Sequence, residues 1–332
     1  MRAVAELLED GGAAAASAEF FRSPAFLAAE GVTHTLRIES DTGELLAPLL
    51  VREIGDGPER DATSPYGYPG IAAPDVYHAI GGQTSGGSGE QASGGATSGA
   101  VLDPAEVDFG PTGLVALFVR HALGPSPLAG ASERNVVQIA DPGLPLKLRS
   151  SDRNQINKNR RNGYELRLVP GPETSAAERA GFLAAYEETM RRTGAAERYF
   201  FGAAYFDRIL ESERSWLALA HAPGGEVAAA SIAVDSDGFL HYYLSGSADS
   251  HLRDSPMKSV VAELIELATE RGQPLNLGGG ISPGDPLEEF KRGFANREQA
   301  WLTSEVVCDR AAYERLSGGR EGSGFFPAYR AP

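Results

Sequence analysis

The chain has 332 residues, 42% of them hydrophobic and 23% charged, which is enough for one large domain or two of ordinary size. The net charge of −15 sets up a field that repels nucleic acid unless a local basic patch opposes it. Cys308 is the only cysteine, which excludes an internal disulfide and a thiolate metal cluster.

The first residues, M-R-A-V-A-E-L-L-E-D-G-G, lack the long apolar run of a signal peptide, and no stretch is long enough to cross a bilayer. We therefore expect a cytoplasmic protein with no membrane insertion.

The N-terminal half predicts a β-hairpin, formed by 32–40 and 44–54 around a D-T-G turn. Residues 81–100 hold no aromatic or large aliphatic side chain, which predicts a mobile loop inserted within a domain. The run T-G-L-V-A-L-F-V-R-H-A-L (112–123) is interpreted as a helix, and 135–140 as a strand.

The second half has clearer signals. Ser175 and Glu178 form a capping box for a helix that ends at Gly194. A meander of three strands is predicted next, at 216–221, 227–234 and 239–245.

A helix is then predicted with Ser255 as its N-cap, Pro256 at its first position and Gly272 after its end. It is followed by a buried strand (274–277), a glycine-rich turn, a short helix with Asp285 as N-cap, and a last strand (302–308). This order predicts a mixed α/β (α+β) fold and excludes a doubly wound sheet. Each half contains a hairpin followed by a helix, which indicates two related domains.

The glycine-rich turn matches G-x-S-x-G at 280–284, but it fails as a nucleophile elbow. The elbow uses the backbone N–H after the serine, and that residue is Pro283, which has none. A P-loop and a dinucleotide fingerprint also fail, because the required Lys and Gly are missing. Without H-E-x-x-H or clustered histidines, no metal site and no cofactor are predicted.

Lys291 in the short helix allows two interpretations. Leu287, Phe290 and Phe294 share one face and are predicted to be core. Lys291 is then either a solvated partner of Glu288 or a cation beside a glycine-lined cleft, available to stabilise negative charge during acyl transfer.

Four motifs in order resemble the Fem-type aminoacyltransferases: S-P-Y-G-Y-P-G (64–70), K-N-R-R-N-G-Y-E (158–165), H-Y-Y-L-S-G-S (241–247) and L-G-G-G…D-P-L-E-E-F-K-R-G-F (277–294). The resemblance covers most of the chain. It implies two tandem domains of the GCN5-related acetyltransferase (GNAT) fold, each a mostly antiparallel sheet flanked by helices. It also implies transfer of an amino acid from aminoacyl-tRNA to an acceptor amine, in peptide-antibiotic or cell-wall precursor metabolism.

The resemblance implies a catalytic pair, Phe290 and Lys291, with the lysine at the developing oxyanion. The implied substrate-binding residues are Tyr66, Tyr68, Arg192, Tyr242, Tyr243, Ser245, Ser247, Gly279 and Asp285. For the tyrosines, a half-buried β-pair with surface hydroxyls is the alternative.

The coiled-coil arm of some cell-wall members is absent, since 194–214 predicts only a short helical stretch; this favours a soluble acceptor. We expect a monomer with domains at 1–150 and 151–332, the last residues packing back on the first domain.

One strongly basic window stands out in this acidic chain. Between 147 and 161 six cations face only Asp152, and they form the predicted tRNA-binding set: Lys147, Arg149, Arg153, Lys158, Arg160 and Arg161. An ordinary solvated segment between domains is the alternative.

An acyl-CoA-dependent N-acyltransferase and a non-catalytic binding protein remain alternative functions. The pyrophosphate of CoA is gripped by backbone N–H groups at a glycine-rich helix start. At the matching place, 253–258, both glycines are replaced, and Pro256 removes one N–H while Asp254 adds repulsion.

Overall fold

The computed structural model describes residues 2–15, 19–73, 101–146, 148–320 and 324–331. The predicted loop at 81–100 and Lys147 lie outside these residues. Within them, no helix combines the length and the apolar character needed to cross a membrane.

The elements up to the middle of the chain are β1 (Ala3–Leu8), α1 (Pro24–Ala29), β2 (His34–Ser40), β3 (Gly43–Glu53), β4 (Arg60–Thr63), β5 (Val107–Asp108), β6 (Leu114–Arg120) and β7 (Ser132–Ala140). The remaining elements are α2 (Ser150–Arg161), β8 (Glu165–Pro170), α3 (Ala176–Thr193), α4 (Ala203–Leu210), β9 (Ser215–His221), β10 (Val227–Ser236), β11 (Phe239–Ser247), α5 (Met257–Glu270), β12 (Leu275–Gly278), α6 (Pro286–Arg292), β13 (Arg297–Val307) and α7 (Arg310–Ser317). The predicted mixed α/β class is confirmed.

The chain divides into two compact units, residues 1–134 with 301–332 and residues 135–300. These bounds differ from the predicted 1–150 and 151–332. The strands of the first unit follow the order β5-β1-β2-β3-β4-β6-β13. All its pairs are antiparallel except β5 with β1 and β4 with β6.

Residues 112–123 do not form the predicted helix. They contain β6, which pairs with β4 on one side and with β13 on the other. Residues 114–117 and Val119 are buried, so the run is apolar on both faces of the sheet. A short continuous apolar run fits a buried strand or a buried helix, and periodicity alone does not separate the two.

The second unit carries the predicted meander, β9-β10-β11, in a sheet of order β7-β12-β11-β10-β9-β8. Its pairs are antiparallel except β11 with β12. The apolar stripe of α5 is buried against β12 through Val261, Leu264 and Leu275, among others. Helix α3 packs against β10 and β11. Between 194 and 214 the helical element is α4, and no coiled-coil arm occurs there.

The capping signals of the second unit have different outcomes. Ser175 and Glu178 form both hydrogen bonds of the capping box, and α3 ends at Gly194 in the left-handed conformation, as predicted. Ser255, however, is not the N-cap of α5. It adopts a left-handed conformation (φ 47°) and its hydroxyl donates to the carbonyl of Leu252, so that Pro256 becomes the N-cap.

Gly246 lets α3 approach β11 closely. A Cβ there would lie 2.4 Å from the backbone Cα and N of Tyr186 in α3. Since these are backbone atoms of a helix anchored by the capping box and an aromatic cluster, the helix itself would have to move.

We therefore predict that Gly246→Ala lowers the free energy of unfolding by about 1–3 kcal/mol, the usual cost of overpacking. Urea denaturation followed by circular dichroism measures the change. Gly202→Ala is the matched control, because nothing lies within 4 Å of that added methyl group. Equal stability of the two variants would contradict the close packing of α3 on β11.

Candidate active site

The glycine-rich turn between β12 and α6 is held by the side chain of Asp285. Its Oδ2 accepts hydrogen bonds from the backbone N–H of Ile281 (2.6 Å) and Ser282 (3.0 Å). Its Oδ1 accepts from the N–H of Glu288 (2.7 Å), which makes Asp285 the predicted N-cap of α6. These backbone donors, that of Glu288 foremost, lower the pKa of Asp285 and keep it ionised.

Lys291 lies buried beneath this turn, with only 8% of its surface exposed. Its Nζ donates to the carbonyl oxygen of Gly279 at 2.6 Å. Burial lowers the pKa of Lys291 to about 8, and the charge of Asp285 opposes that shift. An ammonium has three N–H donors, and this is its one hydrogen bond within the described part of the chain.

The interpretation of Lys291 as a solvated partner of Glu288 is therefore wrong. Glu288 instead forms an ion pair with Arg292 and accepts from the N–H of Gly284 at 2.7 Å. The predicted core face of α6 is correct for Phe294, which is 1% exposed, but Leu287 is 40% exposed. The helix is only seven residues long, about two turns, and Leu287 lies exposed in its first turn.

Two glycines of the turn are required by close approach. A Cβ on Gly279 would lie 2.5 Å from Nδ2 of Asn135, and a Cβ on Gly280 would lie 2.6 Å from Oδ1 of Asp285. Asn135 also donates to the carbonyl of Gly280 at 3.0 Å. The backbone of the turn is thus held by hydrogen bonds to Asp285 on one side and from Asn135 on the other. Asn135 has no sequence signal, because only the fold brings β7 beside the turn.

The backbone N–H groups of the turn are largely occupied. Those of Ile281 and Ser282 donate to Asp285, and that of Gly284 donates to Glu288. These three N–H groups are therefore not available at an oxyanion. The ammonium of Lys291 has hydrogen-bonding capacity left.

The predicted tyrosine pair divides between different neighbours. Tyr242 packs with Phe290 against the core that includes α5, and its burial raises its pKa to about 12 while a hydrogen bond with Ser245 opposes the shift. Tyr243 is the extra residue of a bulge between β10 and β11, and its hydroxyl lies 2.8 Å from that of Tyr205 in α4. Tyr242 and Ser245 are thus hydrogen-bonded to each other, while Tyr243 belongs to a second aromatic group.

Arg192 and Ser247 meet at the end of β11. Arg192 forms an ion pair with Asp249 and donates to the carbonyl of Ser247 at 3.2 Å. Thr189 accepts from the N–H of Ser247 at 2.9 Å. The guanidinium of Arg192 thus joins α3 to the residues that follow β11, and its contact with a substrate stays a prediction.

Tyr66 and Tyr68 belong to the first unit. The ring of Tyr68 packs edge-on against Phe21 and Trp301, with centroids 5.6 and 5.5 Å away. Tyr66 is 37% exposed, and its backbone N–H donates to Glu30 at 3.0 Å. Their predicted role at a substrate stays a prediction.

The basic window forms a helix, α2, rather than an irregular connection. Helical spacing places Arg153, Arg160 and Arg161 on one face, all three are exposed, and none takes part in an ion pair among the described residues. Arg149 and Lys158 do have carboxylate partners, Glu289 at 2.5 Å and Asp254 at 3.9 Å.

Contacts at the start of α2 join it to α6. Arg149 reaches Glu289 in α6, and Oδ2 of Asp152 lies 3.0 Å from where a Cβ on Gly293 would be. Asp152 also forms a nearly buried ion pair with Lys258 of α5 at 2.8 Å. This junction has no local sequence signal, because the partners are more than 100 residues apart.

Comparisons with known proteins agree with this architecture. Residues 147–292 match the family model of an acetyltransferase (GNAT) domain. The chain is similar to the crystal structure of FemX, with 10% identity, a TM-score of 0.55, and coverage of 85% of this chain and 89% of FemX. L-PGS from Bacillus licheniformis gives 13% identity, a TM-score of 0.51, and coverage of 83% and 85%. No curated protein sequence matches the chain.

Helix α6 lies within the matched segment, which begins just before α2 and ends at Arg292, the residue after Lys291. Both units are mostly antiparallel sheets flanked by helices. Residues 147–292 thus match a GNAT domain, and the chain has the Fem-like GNAT fold.

Proposed function

We propose that the protein is an aminoacyltransferase that moves an amino acid from aminoacyl-tRNA to an acceptor amine and forms an amide bond. The observation that carries the proposal is the buried ammonium of Lys291, fixed against Gly279 with donors to spare. The motif resemblance and the similarity to FemX support an aminoacyl donor. A soluble peptide or a cell-wall precursor is the acceptor class that the resemblance suggests.

An aminoacyl ester is already activated, so the chemistry needs alignment and charge stabilisation. The acceptor amine attacks the ester carbonyl, and a C–N bond forms as negative charge builds on the carbonyl oxygen. Lys291 stabilises that charge, with more effect in a buried site than in water. The tetrahedral intermediate then expels the ribose hydroxyl of the tRNA, which takes the proton that the amine gives up.

An acyl-CoA N-acyltransferase is the second candidate, and the acetyltransferase family match favours it. The start of α5 opposes it. Ser255 does not cap this helix, but Asp254 places a carboxylate beside its first turn, where it accepts from the hydroxyl of Tyr164 at 2.9 Å. Pro256 offers no N–H. A pyrophosphate would meet a negative charge and fewer donors there.

The exposed face of α2 supports tRNA as the carrier of the donor. Its three exposed guanidiniums contact phosphates in this proposal and position the RNA without reading its sequence. The ion pair between Arg149 and Glu289 connects the base of this helix to α6, which carries Lys291. In this proposal, the helix that binds tRNA is thus in contact with the helix that carries Lys291.

The first test supplies aminoacyl-tRNA or acyl-CoA together with a panel of amines. We expect RNase-sensitive amide formation with the wild-type protein and a loss of about 100-fold or more in Lys291→Met, the size of effect seen when an oxyanion donor is removed. Product from acyl-CoA alone would favour the second candidate, and no product from either donor would favour a binding protein.

Lys291→Met should lower activity but raise the free energy of unfolding. Because the pKa of Lys291 falls to about 8 in the folded chain, the unfolded chain binds more protons between pH 8 and 10.5, and the charged lysine costs stability at pH 7. Lys291→Met should therefore be more stable by roughly 1–3 kcal/mol at pH 7 in thermal unfolding. Lys158→Met, at an exposed lysine, should change little. A marked loss of stability in Lys291→Met would indicate a structural lysine instead.

The pH dependence of transfer follows from the same group. An acceptor amine that is neutral throughout pH 7–10 isolates the enzyme's titration, and the rate should fall as pH rises through about 8, where Lys291 loses its proton. In Lys291→Arg the cation persists, so this fall should move beyond the accessible range. A wild-type rate that rises through pH 8 would assign Lys291 as a base.

Binding of tRNA should depend on the arginines of α2. Replacing Arg153, Arg160 and Arg161 with Gln should reduce the slope of log K against log salt by about 2–3, with roughly 0.7–0.9 for each phosphate that is no longer neutralised. Filter binding between 50 and 200 mM salt measures it. Arg208→Gln in α4 removes an exposed arginine elsewhere in the same unit and is the control. An unchanged slope in the triple variant would remove α2 from the RNA interface.

A further inference from the structure

A cavity of about 440 Å³ lies in the second unit beside α6. Its lining includes Gln138 of β7, Arg149, Arg292, and the first two residues of β13, Arg297 and Glu298. The volume is at the lower end of the range for small-molecule sites. Lys291 is not part of the lining.

Gln138 gives the cavity a buried acceptor that the protein leaves unused. The residue has no exposed surface, and its Nε2 donates to Oε1 of Glu298 at 3.1 Å. Its Oε1 is buried and makes no hydrogen bond with any described residue. Buried polar atoms nearly always have a partner, so an N–H or O–H group from outside the chain is expected here.

The charged lining suits a ligand that carries both signs. Three guanidiniums and the carboxylate of Glu298 meet at the cavity. Arg149 pairs with Glu289 at 2.5 Å and Arg297 with Asp141 at 3.1 Å, while Arg292 pairs with Glu288 and lies 3.5 Å from Glu298. Each guanidinium has five N–H donors, so these contacts leave donors for a further carboxylate or phosphate.

The cavity adjoins the reacting centre of the proposed function. Gln138 pairs with Gly278 across the β7–β12 ladder, and the next residue, Gly279, accepts from Nζ of Lys291. On α6, Arg292 follows Lys291 directly. The cavity lining and the contact between Lys291 and Gly279 are thus linked through consecutive residues at the end of β12 and on α6.

We propose that this cavity binds the acceptor, a small amine that also carries a carboxylate or a phosphate. The anionic group binds to the guanidiniums, and the amine donates to Oε1 of Gln138 and to Glu298. That the ligand is the acceptor rests on the proposed function; that the cavity binds such a ligand does not.

Isothermal titration calorimetry on the full chain, without RNA, tests the binding. Alanine and O-phosphoethanolamine carry both charges, while acetate, ethylamine and inorganic phosphate carry one. We expect the first two to bind at least about tenfold more tightly than the others, since two charge-assisted contacts replace one. Their relative affinity tells a carboxylate ligand from a phosphate ligand.

Variants locate the binding. Gln138→Leu and Glu298→Gln should each weaken binding of the better of the two probes by about tenfold or more, because the first removes an acceptor for the amine and the second removes the negative charge that pairs with it. Glu305→Gln, at an exposed glutamate on the same strand, should leave binding unchanged. Circular dichroism checks that Gln138→Leu is folded, and Glu298→Gln, which is half exposed, keeps the test open if it is not.

Three outcomes would overturn the inference: no binding of any probe at millimolar concentration, phosphate binding as tight as that of O-phosphoethanolamine, or binding unchanged in both variants. Probe binding and aminoacyl transfer are measured on the wild type and on Lys291→Met, which separates this inference from the proposed function. Intact probe binding with no aminoacyl transfer by the wild type would reject only the function, and transfer without probe binding would reject only the cavity.

Discussion

The candidate active site depends on one buried hydrogen bond, which the ammonium of Lys291 donates to the carbonyl of Gly279. Burying an unpaired ammonium is costly, and a single carbonyl only partly replaces the water it loses. The remaining cost is expressed in the lowered pKa of Lys291, opposed by the nearby charge of Asp285. A cation held in this way keeps donors that no protein group saturates, and the protein bears a cost in stability to keep them.

The glycine turn is rigid for reasons that also restrict its chemistry. Asp285 and Glu288 take up three of its N–H groups, and Asn135 holds a carbonyl from the side of β7. These three N–H groups are satisfied internally and are not available to an anion, in contrast to the backbone donors of a phosphate-binding loop. Instead, the carbonyl of Gly279 in this turn accepts from Lys291 and orients its ammonium. The same packing explains why Gly279 and Gly280 cannot be replaced, since an added Cβ on either would overlap a partner atom.

Charge is distributed unevenly on this acidic chain. Arg149, Lys258 and Arg292 are paired with carboxylates, and the pairs of Arg149 and Lys258 join α2 to α6 and to α5. Arg153, Arg160 and Arg161 of α2 are exposed and form no ion pair among the described residues. Paired arginines fix geometry and the exposed ones remain available to a partner, so the two groups have different roles although their composition is the same.

The sequence by itself determined the elements whose signals are local. Three such features are present: the capping box of α3, the meander β9–β11, and Asp285 with Pro286 at the start of α6. Each is signalled by residues that are close together in the sequence. The resemblance of the four motifs likewise indicated the Fem-like GNAT fold, since such motifs survive as short contiguous runs.

Only the tertiary structure decided the features that depend on distant partners. Residues 114–120 became a strand because β4 and β13 pair with them on both sides, and the apolar run alone did not contain that information. The burial of Lys291 and the unused acceptor of Gln138 were likewise set by tertiary packing and had no signal in the neighbouring sequence. Burial is a property of contacts between segments far apart in the chain, and it is burial that sets the charge state and the hydrogen-bonding capacity of these groups.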